Sequence, residues 1–102
     1  MRVAVDAMGS DGAPAVEVEG AVQASLESDA EILLVGDEAR LNEELAAHPK
    51  HRNIRVVHAA EAIGMHEPPV NAIRQKKESS LLVALRLLKA GEAEAFVSAG
   101  NT

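Results

Sequence analysis

Glu31-Ile32-Leu33-Leu34-Val35-Gly36 carries no polar residue between Glu31 and Gly36. A strand with one wet face alternates apolar and polar residues. This run does not alternate, so it predicts a strand buried on both faces, which is the habit of parallel strands covered by helices. Asp37 follows at once and suits a helix N-cap. Leu41 and Leu45 carry that helix to about Ala47, before Pro49. Upstream, Arg2 to Asp6 reads as a first strand, and Ala7 to Ala13 as a Gly-rich loop. Pro14 stands at the first turn of a helix that runs to about Glu27. Ala15, Val18, Val22 and Leu26 recur at helical spacing and predict its inward stripe.

Downstream, Ile54 to His58 reads as a third strand and Ala59 to Pro69 as a long loop. A short helix through Val70, Ile73 and Arg74 follows. Ser79 and Ser80 offer a new N-cap, and Leu81, Leu82, Leu85 and Leu88 predict an amphipathic helix. Gly91 closes it in the left-handed conformation, and Ala95 to Ala99 forms a fourth strand. The order βαβαβααβ predicts an α/β fold, an open and mainly parallel sheet with helices on both faces.

The core is aliphatic, because Phe96 is the sole aromatic among 102 residues. That leaves no platform for stacking nucleic-acid bases. The formal charge of −6 also argues against general binding to nucleic acid or anionic lipid. The basic residues nonetheless form an island at Arg74, Lys76 and Lys77, with Arg86 and Lys89 beyond it. With no cysteine, the chain offers no disulfide, thiolate nucleophile or Cys-based zinc site. The start, Met1-Arg2-Val3-Ala4-Val5-Asp6, is too short an apolar run for a signal peptide. The expected location is the cytoplasm. His48, His51, His58 and His66 are not spaced as metal ligands, so no metal is expected.

Ligands of open parallel sheets bind beyond the carboxyl ends of the strands. Three segments lie at such positions. Asp6-Ala7-Met8-Gly9-Ser10-Asp11-Gly12 brings glycines and a helix start, but lacks the spacing of a P-loop or a dinucleotide fingerprint. Ser98-Ala99-Gly100-Asn101-Thr102 offers hydroxyl and amide groups to a phosphate. Arg74-Gln75-Lys76-Lys77-Glu78-Ser79-Ser80 sets cations beside a helix start, as an oxyanion clamp requires. Each also has a plain structural use, as a turn, a strand end with a cap, or a solvated helix end. The last residues open a turn whose helix does not follow, so the chain reads as the front part of a longer enzyme.

Taken together, four segments resemble the bacterial phosphate acyltransferases of phospholipid synthesis, the PlsX family. They are Arg2 through Asp11, Ile32 through Asp37, Pro69 through Ser80, and Phe96 through Thr102, in that order. The resemblance spans the whole chain. The family usually has Gly-Gly-Asp-His-Ala-Pro where this sequence has Gly9-Ser10-Asp11-Gly12-Ala13-Pro14, so Gly12 takes no proton-transfer role. The usual acidic pair near Glu67 is replaced by Met65-His66-Glu67-Pro68. Members are about three times this size, by the domain-size rule a two-lobed protein.

The resemblance implies a fold like those of phosphotransacetylases and isocitrate dehydrogenases. The implied reaction moves a long-chain acyl group from acyl carrier protein to inorganic phosphate, without metal or organic cofactor. The acyl phosphate formed feeds a downstream glycerol-3-phosphate acyltransferase. A homodimer and peripheral membrane contact are implied as well. Carried onto this sequence, Lys76, Lys77 and Asn101 become the expected catalytic residues. Asp6, Met8, Gly9, Asp11, Arg74, Ser79, Ser80, Ser98, Gly100 and Thr102 become the expected substrate contacts. A coenzyme A-dependent phosphotransacetylase-like enzyme, or an inactive folded fragment or binding module, are the alternatives.

Overall fold

The computed structural model describes residues 1–61 and 78–98. Four strands form one all-parallel sheet in the order β3-β2-β1-β4: β1 (Arg2–Asp6), β2 (Glu31–Gly36), β3 (Ile54–His58) and β4 (Ala95–Ser98). Helices α1 (Ala15–Glu27), α2 (Glu38–Ala46) and α3 (Ser80–Lys89) connect them. The class and order agree with the sequence reading. The short helix expected through Val70, Ile73 and Arg74 lies outside the described residues, as does Ala99.

β2 is the centre of the fold, buried from Ile32 to Gly36. Its side chains alternate between two cores. Ile32 and Leu34 join Val18, Ala21 and Val22 of α1 and Leu41 of α2 on one face. Leu33 and Val35 join Ala4 of β1 and Ala84 of α3 on the other. Each fully buried leucine contributes roughly 1.5–3 kcal/mol relative to an exposed one. The two faces follow from the path of the chain. β1 to β2 to β3 advances in one direction, whereas β3 to β4 returns past β2 and β1. Crossovers of one hand then require α3 to lie opposite α1 and α2.

The inward stripes differ in part from those expected. On α1 the buried residues are Val18, Ala21, Val22 and Ser25, while Ala15 and Leu26 are exposed. Ser25 holds the place expected of Leu26 because its hydroxyl is satisfied. It donates to the Val22 carbonyl at 2.8 Å and accepts from the Arg52 N–H at 3.1 Å, tying α1 to the approach to β3. Pro14 takes the N-cap position, one residue before the helix. On α3, Ser80, Leu81 and Ala84 are buried, and Val83 and Leu87 are partly so. Leu85 and Leu88 point outward, because small Ala84 rather than a leucine makes the close approach to the sheet. Asp37 caps α2 through the Arg40 N–H, and Gly91 closes α3 at φ 77°, both as expected.

Candidate functional site

The order β3-β2-β1-β4 has a topological switch point. From β1 the chain crosses to β2 over one face, and β4 arrives on the other side of β1 over the opposite face. Such a point leaves a crevice at the carboxyl ends of the two adjacent strands, where open α/β sheets bind ligands. Here those ends are Asp6 on β1 and Ser98 on β4, which are register partners.

Asp6 lies one position beyond Val5, so its side chain turns to the α3 face along with Ala4. Asp6 is 3% exposed. Oδ1 accepts from Ser80 Oγ at 2.5 Å and from the Met8 N–H at 3.2 Å. Oδ2 accepts from Ser98 Oγ at 3.0 Å. One carboxylate thus joins the ends of two strands to the first residue of α3. Ser79, fully buried, caps α3 by accepting from the Leu82 N–H at 3.2 Å. Glu61 bridges to this start: the Ser80 N–H donates to the Glu61 carbonyl at 2.9 Å, and the Glu61 N–H to that of Glu78 at 3.2 Å.

Of the residues expected at the site, Asp6, Ser80 and Ser98 meet directly, with Ser79 adjacent. Met8 contributes its N–H to Asp6, but its side chain packs over Gly36. A Cβ added at Gly36 would meet Met8 Cγ at 2.5 Å. Gly9 is buried and Asp11 exposed. Arg74, Lys76, Lys77, Gly100, Asn101 and Thr102 lie outside the described residues.

The β1–α1 loop is partly spent on itself. The Ser10 N–H donates to Glu17 Oε2 at 3.3 Å, and the Ala13 N–H to the Ser10 carbonyl at 3.1 Å. Together with Met8, three amides of this corner have internal acceptors. Glu17 was not expected here. It stands in the first turn of α1, an ordinary place for an acid beside a helix N-terminus. Its Oε1 and Ser10 Oγ are buried without a hydrogen-bond partner among the described residues.

On the α1 face, a cavity of about 490 Å³ opens beside exposed Val97, walled by Val3, Val5, Val16 and Ala21. Its lining also includes Asp6, at the carboxyl end of β1. Among the described residues, no group of three or more His, Asp or Glu is placed to hold a metal ion. No described helix is long and apolar enough to cross a membrane.

These features define a class: a doubly wound α/β domain with buried polar groups gathered at its switch point. The chain belongs to the family described as Fatty acid synthesis protein, whose model matches residues 1–102. It is 57% identical to a phosphate acyltransferase of Geobacter sulfurreducens, 54% to one of Moorella thermoacetica and 51% to one of Koribacter versatilis. Each alignment covers all of this chain and 29–30% of the relative. The chain therefore spans about 30% of the length of the curated relatives it matches. The resemblance seen in the sequence holds at the level of the family.

Proposed function

We propose that the full-length protein transfers a long-chain acyl group from acyl carrier protein to inorganic phosphate. The products are acyl phosphate and free carrier protein, and the acyl phosphate serves phospholipid synthesis through a glycerol-3-phosphate acyltransferase. The observation that carries this reading is identity of 51–57%, over the entire chain, to proteins named Phosphate acyltransferase. The buried polar cluster at the switch point supports it, because that is where an α/β sheet offers a ligand its crevice.

In the proposed reaction a phosphate oxygen attacks the thioester carbonyl. The C–O bond forms, the tetrahedral oxyanion collapses, and the C–S bond breaks, with the carrier thiol taking up a proton. Arg74, Lys76 and Lys77 hold the phosphate and offset repulsion between the anionic partners. They precede Glu78 in the sequence, and the Glu61 bridge anchors the start of α3. Ser98, Asn101 and Thr102 orient the phosphate for attack, a gain in proximity rather than in chemistry. The protein acts as a homodimer in the cytoplasm, with peripheral contact at the membrane. Acidic carrier protein docks on a local basic patch, so turnover falls steeply with added salt.

The test is acyl-phosphate formation by the full-length protein from long-chain acyl carrier protein and inorganic phosphate, trapped with hydroxylamine. Phosphate-dependent product is expected. Product from acyl coenzyme A alone, with none from the carrier protein, would replace this reading by the coenzyme A-dependent one. The isolated 102-residue chain is expected to give no product.

A further inference from the structure

The cavity of about 490 Å³ on the α1 face has a direction. In a βαβ unit the helix runs antiparallel to its strands, so α1 starts at the carboxyl end of β1 and finishes at the amino end. The lining follows that whole path. Asp6 and Glu17 belong to it at the carboxyl end, Gly20 and Ala24 along the middle, and Ser28 and Ala30 at the amino end. Val16 to Ser28 is twelve residues, about 18 Å at the helical rise. The facing wall is the sheet, through Val3 and Val5 of β1 and exposed Val97 of β4. Among the described residues, every lining residue other than Asp6, Glu17 and Ser28 is apolar or glycine. The volume lies within the roughly 300–1,000 Å³ of small-molecule sites, but the convergent polar groups that orient a compact polar ligand are missing along the middle. Glu17, an acid, disfavours an anion at the near end. The shape and lining suit a long uncharged hydrocarbon chain.

We propose that this groove holds the acyl chain of the substrate, with the thioester at the carboxyl end of β1 and the chain laid along α1 toward Ser28. The inference rests on the reading of the reaction as acyl transfer, and adds where the chain lies and which residues set its length. Each methylene moved from water onto an apolar wall strengthens binding about fourfold. Longer chains are therefore better substrates until the amino end of the groove is reached. Gly20 and Ala24 determine that specificity, because neither carries a side chain beyond Cβ and the groove stays open over them. A Cβ added at Gly20 meets nothing within 4 Å. A larger side chain at Ala24 closes the far part of the groove. One at Gly20, a turn nearer the carboxyl end, closes more of it.

The test uses the full-length protein with octanoyl, dodecanoyl and palmitoyl carrier protein. Two quantities are read for each: kcat/KM for acyl-phosphate formation, and Kd measured without phosphate. Wild type is expected to favour palmitoyl over octanoyl in both. Ala24→Leu should lower the palmitoyl-to-octanoyl ratio about tenfold, the equivalent of fewer than two methylenes left unburied. Gly20→Leu should lower the dodecanoyl-to-octanoyl ratio as well, because it blocks the groove nearer the thioester. Gln23→Leu, on α1 but outside the lining, is the control and keeps the wild-type ratios. Should the leucine variants at Gly20 and Ala24 fail to fold, Gly20→Ala must shift the ratios in the same direction to a lesser degree. Equal loss at all three chain lengths, or a lower melting temperature with unchanged ratios, would mean that a segment of the longer protein fills the groove, and overturns the proposal. Wild type indifferent to chain length overturns it too. Chain-length-dependent binding that these variants alter, without acyl-phosphate formation, would remove the proposed reaction and leave the groove assigned. Acyl-phosphate formation with ratios unchanged in the variants would keep the reaction and overturn the groove.

Discussion

β1 is fastened at both ends to the same part of the molecule, by opposite means. At its amino end, the Arg2 N–H and Nε donate to the Glu94 carboxylate at 3.0 and 3.1 Å, and Nη2 reaches the Gly91 carbonyl at 2.8 Å. Both side chains are more than 40% exposed. At its carboxyl end, Asp6 makes its bonds to Ser80 and Ser98 inside the protein. The exposed pair gains little, because water screens the charges and two long side chains must be held still. The buried carboxylate must first lose its hydration, and it is tolerated only because hydroxyl and amide donors replace the water. An apolar residue would serve the sheet more cheaply. The costly arrangement stands at the carboxyl end of the strands, the end at which open α/β sheets as a class bind ligands, and the cheap one stands at the other.

The sharpest way to break this comparison is Asp6→Ala. It removes the bonds that Ser80 Oγ and Ser98 Oγ make to Asp6 and opens a small void between β1 and α3. The expected loss of stability is about 3 kcal/mol, read from the urea midpoint. A loss no greater than that of Arg2→Ala would make the two ends equivalent and remove the distinction.

Two glycines probe the same ends through the backbone. Gly36→Ala forces a methyl group into Met8 Cγ at 2.5 Å and Leu41 Cδ1 at 3.3 Å, where the β1–α1 loop crosses β2. A cost of about 1–3 kcal/mol is expected, with a shifted Met8 methyl resonance in NMR spectra. Gly91→Ala meets nothing within 4 Å, but Gly91 stands at φ +77°. Its cost is purely conformational, about 1–2 kcal/mol in a thermal or urea melt. If Gly91→Ala proved the more costly, the carboxyl end would be the more compliant, contrary to its buried network.

Much of this was legible in the residues. The unbroken apolar run of β2 demanded two covered faces, and each of its side chains found a core. The caps Asp37 and Ser79 and the stop Gly91 announce themselves because each meets a local backbone need. The helix stripes were only half legible. Periodicity marks apolar residues, and the buried faces of α1 and α3 include Ser25 and Ser80, whose hydroxyls are satisfied by partners far along the chain. Residue types at strand ends pointed separately to Asp6, Ser80 and Ser98. That one carboxylate joins all three depends on the β1–β4 pairing, which no local pattern encodes. Glu17 escaped notice because an acid in a first helical turn has an ordinary explanation.

The smallest expected effect lies at the exposed end and depends on pH. The backbone N–H of Arg2, and then its guanidinium, hold the Glu94 carboxyl below the ordinary glutamate range. A depressed carboxylate pKa gives a contribution that is fully present above the unfolded-state value. It is lost as pH falls through the lower, folded value. Wild type should therefore hold a slight advantage over Glu94→Gln at neutral pH, unchanged until the ordinary carboxylate range is reached. The advantage should then fade on further acidification and shrink with added salt. Urea midpoints of the two proteins over a pH series, with an NMR titration of the Glu94 carboxyl, would show it. An advantage that grew on acidification would reverse the sign of the shift. One that rivalled the Asp6→Ala loss would mean that the exposed end, not the buried one, fastens β1.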